Sequence, residues 1–272
     1  MLRAALLSIV LVWPGIASAQ RSETCYGLLC IIAETRDASV ILSARNASGH
    51  APITAALTLD LDNMIARGVA NATLRPGEIR DFVTLTPSGS PPYEYRYRYQ
   101  WVPGDTRARP DPGATYALPF RRAALPVVQS CGGWFSHRGE ADQAVDFGMP
   151  IGTPVHAART GRVVMVRTDS REGGRARRFI GRDNTILIEH ADGSIANYAH
   201  LSYRSARVAE GESVQAGDMI ALSGNTGYSA SPHLHFELYT PLANGGRKSW
   251  PVAWRIGGER VLCPRRGTIL RN

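Results

Sequence analysis

The chain has 272 residues, 44% hydrophobic and 20% charged, a balance that supports packed cores and excludes a disordered or low-complexity polymer. That length leaves room for one large domain or two modest ones. A net charge of +8 and a pI near 9.7 favour polyanionic surroundings (nucleic acid, anionic membrane or an acidic wall polymer) without choosing among them.

Met1-Leu2-Arg3 carries one positive charge, and an apolar run follows from Ala4 to Trp13. Pro14 and Gly15 break it ahead of Ala17-Ser18-Ala19, a small-x-small cleavage site. This pattern predicts a secretory signal peptide over residues 1–19, cut before Gln20 and too short to span a bilayer. No later stretch is long and apolar enough to cross a membrane. The expectation is an exported, soluble protein, periplasmic or extracellular, whose charge of +8 falls by one with the loss of Arg3.

In an exported chain four cysteines read as two disulfides. Cys25–Cys30 and Cys131–Cys263 are the favoured pairing of the three possible. The second would tie the start of the C-terminal region to its end, worth roughly 4–5 kcal/mol by chain entropy.

Residues 20–120 read as strands and turns. Val40-Ile41-Leu42, Ile53 to Leu61, Asp81 to Thr86 and Tyr93 to Trp101 are candidate strands, separated by turn signals such as Arg75-Pro76-Gly77 and Pro103-Gly104-Asp105. Short strands at this spacing predict an Ig-like β-sandwich. The strand Tyr93-Glu94-Tyr95-Arg96-Tyr97-Arg98-Tyr99 offers a possible stacking platform for bases or sugars. The favoured reading places its tyrosines in the core and its charges in water, so no nucleic-acid partner is expected. Asn46-Ala47-Ser48 and Asn71-Ala72-Thr73 match the glycosylation sequon, which matters only on a eukaryotic secretory route. Pro103 to Pro119, rich in Pro, Gly, Asp and Arg, reads as a linker or long loop, with the boundary at residue 120.

Residues 121–272 again read as strands with glycine-marked turns and no helix of convincing period. Arg162 to Val166, Thr185 to His190 and Ile195 to Leu201 are candidate strands. The run Arg167 to Arg178 is a basic insertion, either a rim that holds an anionic polymer or a solvated loop. The stretch Ser231-Pro232-His233-Leu234-His235-Phe236-Glu237-Leu238 organises the region. Leucines and phenylalanine alternate with His233, His235 and Glu237, the period of a half-buried strand. The two imidazoles then share a face, roughly 6–7 Å apart, which suits a metal ligand beside an acid/base group.

Val145-Asp146-Phe147, Gly152-Thr153-Pro154-Val155, Asn197-Tyr198-Ala199-His200-Leu201, Gly224-Asn225-Thr226-Gly227 and His233-Leu234-His235-Phe236-Glu237 occur in this order. Together they resemble the lysostaphin/LytM-type zinc metalloendopeptidases, over roughly Phe135 to Leu238. The resemblance implies an all-β peptidase fold, Zn²⁺ as cofactor and peptidoglycan peptide cross-links as substrate. It assigns Asp146 and His235 as metal ligands and His200 and His233 as catalytic histidines. The commonest family pattern has a histidine four residues before the aspartate, where this chain has Asp142. A subgroup of the family has a Ser-His followed by a longer loop before the Val-Asp-Phe strand, and this resemblance implies His137 in Ser136-His137-Arg138-Gly139 as the first ligand, with Asp142 as its rival and His156 behind both. His190 reads as a turn or surface residue.

The residue types fit that chemistry on their own terms. Two imidazoles and a carboxylate leave a tetrahedral zinc one open position, as in catalytic sites, where bound water becomes a nucleophile near neutral pH. One further histidine takes the water's proton and another hydrogen-bonds the developing oxyanion. His233 is expected as the base and His200 as the oxyanion partner. The rival from another class is a catalytically silent LytM-like domain that binds the wall or activates a separate hydrolase. Such domains typically lose ligands, whereas Asp146, His200, His233 and His235 are all present.

Overall fold

The structure, a computed structural model, describes residues 20–121, 124–133 and 136–271, and the backbone of 7–11. The leader expected over residues 1–19 lies outside the described residues except for 7–11, whose backbone pairs antiparallel with the strand Tyr93–Pro103. Phe135 also lies outside them. The described residues form strands and loops with only two single-turn 3₁₀ segments, Gly139–Ala141 and Arg177–Phe179. Among them, no helix is long and apolar enough to cross a membrane.

The chain divides into a unit of Leu2–Thr106 with Pro241–Gly246 and a unit of Arg107–Thr240 with Arg247–Asn272. The division falls upstream of the expected boundary at residue 120. The Tyr116 amide already donates to Ala253 O (2.9 Å) and that of Ala117 to Ala158 O (2.8 Å), so this proline-rich stretch packs within the second unit.

In the first unit, Arg21–Tyr26, Leu29–Arg36, Ser39–Asn46, Ile79–Pro87 and Met64–Gly68 form one antiparallel sheet in that order. Residues 7–11, Tyr93–Pro103, Ile53–Asp62 and Asn71–Leu74 form the other. Tyr95, Tyr97, Tyr99 and Trp101 are all buried while Arg96 and Arg98 are exposed, the alternation of a half-buried strand. The aromatic rings belong to the core and leave no stacking platform. The layers meet at Asn46, whose Nδ2 donates to Leu74 O (3.1 Å) in the opposite sheet and to Ala51 O (2.9 Å). That burial excludes a glycan on Asn46. Cys25 and Cys30 are direct cross-strand partners and form a disulfide.

The second unit is built on an antiparallel sheet. Its strand order among the described residues is Ser213–Val214, Gly161–Arg167, Thr185–Glu189, Ile195–Ala199, His233–Pro241, Val145–Gly148, Ala124–Gln129, Ile269–Arg271, with Arg247–Trp250 also pairing the His233–Pro241 strand. Leu234, Phe236 and Leu238 join Val145, Phe147, Ala196 and Tyr198 in one hydrophobic core, closed by Tyr116, Val155, Ile220 and Trp254. The Phe236 ring meets Trp254 at 4.8 Å and Tyr198 at 5.0 Å between centroids; truncating so enclosed a ring typically costs about 3–5 kcal/mol. Because side chains alternate along a strand, packing these apolar residues on one face sends Asp146, His233, His235 and Glu237 to the other. Cys131 and Cys263 are disulfide-bonded, as the sequence predicts.

The basic insertion is ordered rather than a loose loop. Gly173–Gly174 pairs in parallel with Gly227–Tyr228, and Asn184 brackets Ser170 through both its side-chain atoms. Arg167 bonds Asp183 (2.7 Å to the carbonyl), the Arg171 guanidinium lies 4.1 Å from the centre of the Tyr203 ring and that of Arg178 4.4 Å from the centre of the Phe179 ring, so three of its arginines are engaged.

Candidate metal centre

Three adjacent strands place Gln129, Asp146 and His235 in one row: Asp146 is the cross-strand partner of His235 on one side and of Gln129 on the other. Ala199 faces His235 from the fourth strand, and His200 follows it immediately. Gln129 reaches this face through a bulge. The register shifts between Val127 and Gln129, so the extra residue turns Gln129 away from the core that Leu125 and Val127 occupy. Its Nε2 donates to Asp146 Oδ2 (3.3 Å) and to Ser136 Oγ (2.8 Å).

His137, Asp146 and His235 come together as a candidate ligand set, with one ligand atom from each within 4.8 Å of the others. Asp146 Oδ1 lies 3.0 Å from His137 Nε2 and 2.9 Å from His235 Nδ1. The far nitrogen of His137, Nδ1, is 2.8 Å from the Ser130 carbonyl, which can only accept, so Nδ1 carries the proton of the neutral ring. The Nε2 lone pair then faces a carboxylate oxygen in a fully buried position with no hydrogen bond of its own. His235 Nδ1 shares a 2.9 Å hydrogen bond with Asp146 Oδ1, and its Nε2 lies 3.7 Å from buried Glu237 Oε2. The unpartnered His137 Nε2, the Asp146 carboxylate and, once its proton is displaced, His235 Nδ1 form a donor set that suits a cation. Tetrahedral zinc at ordinary bond lengths sets its ligand atoms roughly 3.3 Å apart, so the set fits Zn²⁺. The other described cluster, Glu23 with Cys25 and Cys30, has its sulfurs joined in a disulfide.

Around these ligands the electrostatics are strongly coupled. Burial disfavours the Asp146 carboxylate, but the His137 and His235 imidazoles beside it outweigh that and hold the group far below the usual carboxylate range. Burial likewise opposes charge on His235, and hydrogen bonding to Asp146 and Glu237 lifts it instead to about 9. Glu237 is fully buried; burial would raise it, yet the Arg247 charge and the Arg247 Nε bond at 2.8 Å bring it to about 2.

His200 and His233 stand beside the ligand set, their ring centroids 4.6 Å apart, and His200 is 6.0 Å from His235. His200 Nδ1 donates to Thr226 O (2.7 Å) and His233 Nδ1 to Ser231 O (2.7 Å), so both rings present Nε2. His233 Nε2 is 3.7 Å from Asp146 Oδ2. Burial, helped by the charge of His233, pushes His200 down to about 4. Its backbone sits at φ 63°, a left-handed conformation that costs a non-glycine residue about 1–3 kcal/mol and recurs at functional sites. The glycine-rich turn that supplies Thr226 needs its glycines. A Cβ on Gly227 (φ +76°) would meet Asp183 Cα at 2.6 Å, and one on Gly224 would meet the Leu201 backbone at 2.6 Å.

The other candidates lie elsewhere. Asp142 accepts from Ser249 Oγ (2.7 Å) and its carbonyl from Gly132 N (2.6 Å), a loop-bracing role away from the ligand set. His156 Nδ1 bonds Gly217 O (3.0 Å). His190 does begin a turn, its carbonyl accepting from Gly193 N, but it is buried rather than a surface residue. It packs edge-on to Tyr116 with Nδ1 2.9 Å from Thr160 O, and burial lowers it to about 4. Sequence reasoning assigned no role to Gln129, to the Ser130 and Thr226 carbonyls, or to the Glu237–Arg247 pair. The one available signal was Glu237, sharing the histidines' strand parity.

The family model described as peptidase family M23 matches residues 140–250, beginning just after His137. Among curated relatives, peptidoglycan DD-endopeptidase ShyA of Vibrio cholerae is 42% identical over 93 residues, covering 34% of this chain and 19% of that one. The DD-carboxypeptidase/endopeptidase Mpg of Neisseria meningitidis is 36% identical over 119 residues, covering 44% and 23%. The chain thus spans about a fifth of the length of these relatives. Among solved structures, the catalytic domain of a prophage-encoded M23 protein, EnpA from Enterococcus faecalis, is 27% identical with a TM-score of 0.38, covering 48% of this chain and 92% of that one.

Proposed function

We propose that this chain, whose residues 140–250 form a peptidase family M23 domain, is an exported zinc metalloendopeptidase that hydrolyses the peptide cross-links of bacterial peptidoglycan. One observation carries the reading. His137 Nε2 and His235 Nδ1 each lie within 3.0 Å of Asp146 Oδ1, with their other ring nitrogens turned to a carbonyl or a carboxylate. Zinc held by these three residues would supply a Lewis acid for the scissile carbonyl and a water acidified towards neutrality. The relative named peptidoglycan DD-endopeptidase ShyA supports the substrate class, and the DD-carboxypeptidase/endopeptidase Mpg supports cleavage of a peptide bond.

The chain's own residues divide the proton work. His233 Nε2, beside Asp146 Oδ2 and kept free by the Ser231 carbonyl, accepts the proton of the attacking water. His200 in its neutral Nδ1–H form offers only a lone pair at Nε2, so it becomes a hydrogen-bond donor to the oxyanion once it holds a proton there. The proton that His233 takes from the water is the one that passes to the leaving amine, which returns His233 to its neutral form. The +8 charge favours residence on an anionic wall.

The test is digestion of purified sacculi by the zinc-loaded protein. New peptide termini that disappear with a chelator support the reading; intact sacculi with zinc bound and protein adhering would move the chain to a wall-binding activator.

A further inference from the structure

A pocket of about 320 Å³ opens beside the metal centre and shares two residues with it. Gln129 and Ser130 line the pocket, and these same residues hold Asp146 Oδ2 and His137 Nδ1. Val128 and Gly133 continue that wall. A Cβ on Gly133 would lie 2.3 Å from Gln129 Cγ, so the wall there is bare backbone. Arg265 and Arg266 also line the pocket, together with the Cys131–Cys263 disulfide.

The two arginines sit on a short loop anchored at both ends. Cys263 fixes one end through its disulfide to Cys131. At the other, Gly267 N donates to Val127 O and Val127 N donates to Thr268 O, both at 2.8–2.9 Å, before Ile269–Arg271 pairs with Ala124–Pro126. A turn bond from Thr268 N to Arg265 O closes the loop. Both arginines are exposed, and neither makes an ion pair or side-chain hydrogen bond with any described residue. They lie beyond the segment matched to the peptidase family model, so the family does not account for them.

We infer that this pocket is a substrate subsite that takes a carboxylate of the peptide whose neighbouring bond is cut. Two unpartnered guanidinium groups on a pinned loop suit forked, charge-assisted recognition of a carboxylate. The volume is at the small end of ligand pockets, right for one residue rather than a polymer segment. The anchoring limits the ordering entropy that flexible surface arginines would otherwise lose on binding. This rests on the proposed function for the nature of the substrate, while the pocket and its charge stand on the structure.

The test compares binding of three probes to the zinc-loaded full chain by calorimetry: a peptidoglycan stem tetrapeptide as free acid, its C-terminal amide, and its side-chain amide. Arg265→Ala with Arg266→Ala is expected to weaken the free acid at least tenfold with zinc content and thermal unfolding unchanged. One of the two amides should bind the wild type as poorly as the free acid binds the double variant, which identifies the carboxylate recognised. Equal binding of all three probes to the wild type, or a preference for the acid that survives the double substitution, overturns the subsite. Binding is read without turnover. A protein that leaves sacculi intact yet keeps the arginine-dependent preference would sink the proposed function and keep the pocket; one that digests sacculi without the preference does the reverse.

Discussion

Glu237 Oε2 lies 3.7 Å from His235 Nε2, across the ring from the Asp146 oxygen that Nδ1 faces at 2.9 Å. The carboxylate is fully buried and is balanced by Arg247 Nε on its other oxygen. Carboxylates placed behind a ligating histidine fix its tautomer and raise its basicity. Glu237→Gln should therefore lower zinc affinity by about 10–100-fold, measured by competition with a chelating dye. Unchanged affinity would reduce Glu237 to a core ion pair.

Zinc binding should displace the proton that His235 holds in the metal-free protein. Its folded value of about 9 lies above the ordinary 6.5, so the stability it gives the metal-free fold is present below pH 6.5 and is lost as pH rises through 9. Zinc competes with that proton, so apparent affinity should rise by about tenfold per pH unit from near pH 7 up to pH 9 and then flatten. Dye competition across pH 6.5–9.5 checks this, together with release of about one proton per zinc at pH 7.5. A flat affinity over that window contradicts it.

His190 shifts in the opposite direction and lies outside the ligand set. Burial depresses it to about 4, so its contribution to stability is present above pH 6.5 and is lost as pH falls through 4. The shift corresponds to about 3 kcal/mol between those limits. Urea unfolding of the chelated protein from pH 7 to pH 4 should show that loss, and His190→Gln should flatten the slope whatever it does to absolute stability. Parallel pH profiles would remove His190 as the cause.

Strand periodicity and motif order made much of the centre legible. Leu234, Phe236 and Leu238 alternate with His233, His235 and Glu237, and the structure puts the first three in the core and the others on the opposite face. Spacing alone could not rank His137 against Asp142, because both lie in irregular chain where no period assigns a face; the Ser130 carbonyl and the Ser249 hydroxyl separate them. Gln129 was hidden for a different reason. Along its strand it has the parity of Leu125 and Val127, and only the bulge against Phe147 and Asp146 reverses its direction. His190 misled because a residue beside an Asp-Gly turn looks exposed, while its ring packs under Tyr116. The strands Arg21–Tyr26 and Leu29–Arg36 were not among those expected, because Leu29 to Ala33 are all buried and show no alternation.

The most direct measurement of the central claim is the zinc-to-protein ratio after equilibrium dialysis of the wild type and five variants. Wild type, His200→Ala, His233→Ala and Asp142→Asn are predicted to retain one zinc per chain, while His137→Ala and His235→Ala lose it. Retention by His137→Ala together with loss by Asp142→Asn would contradict the ligand set and with it the catalytic centre described.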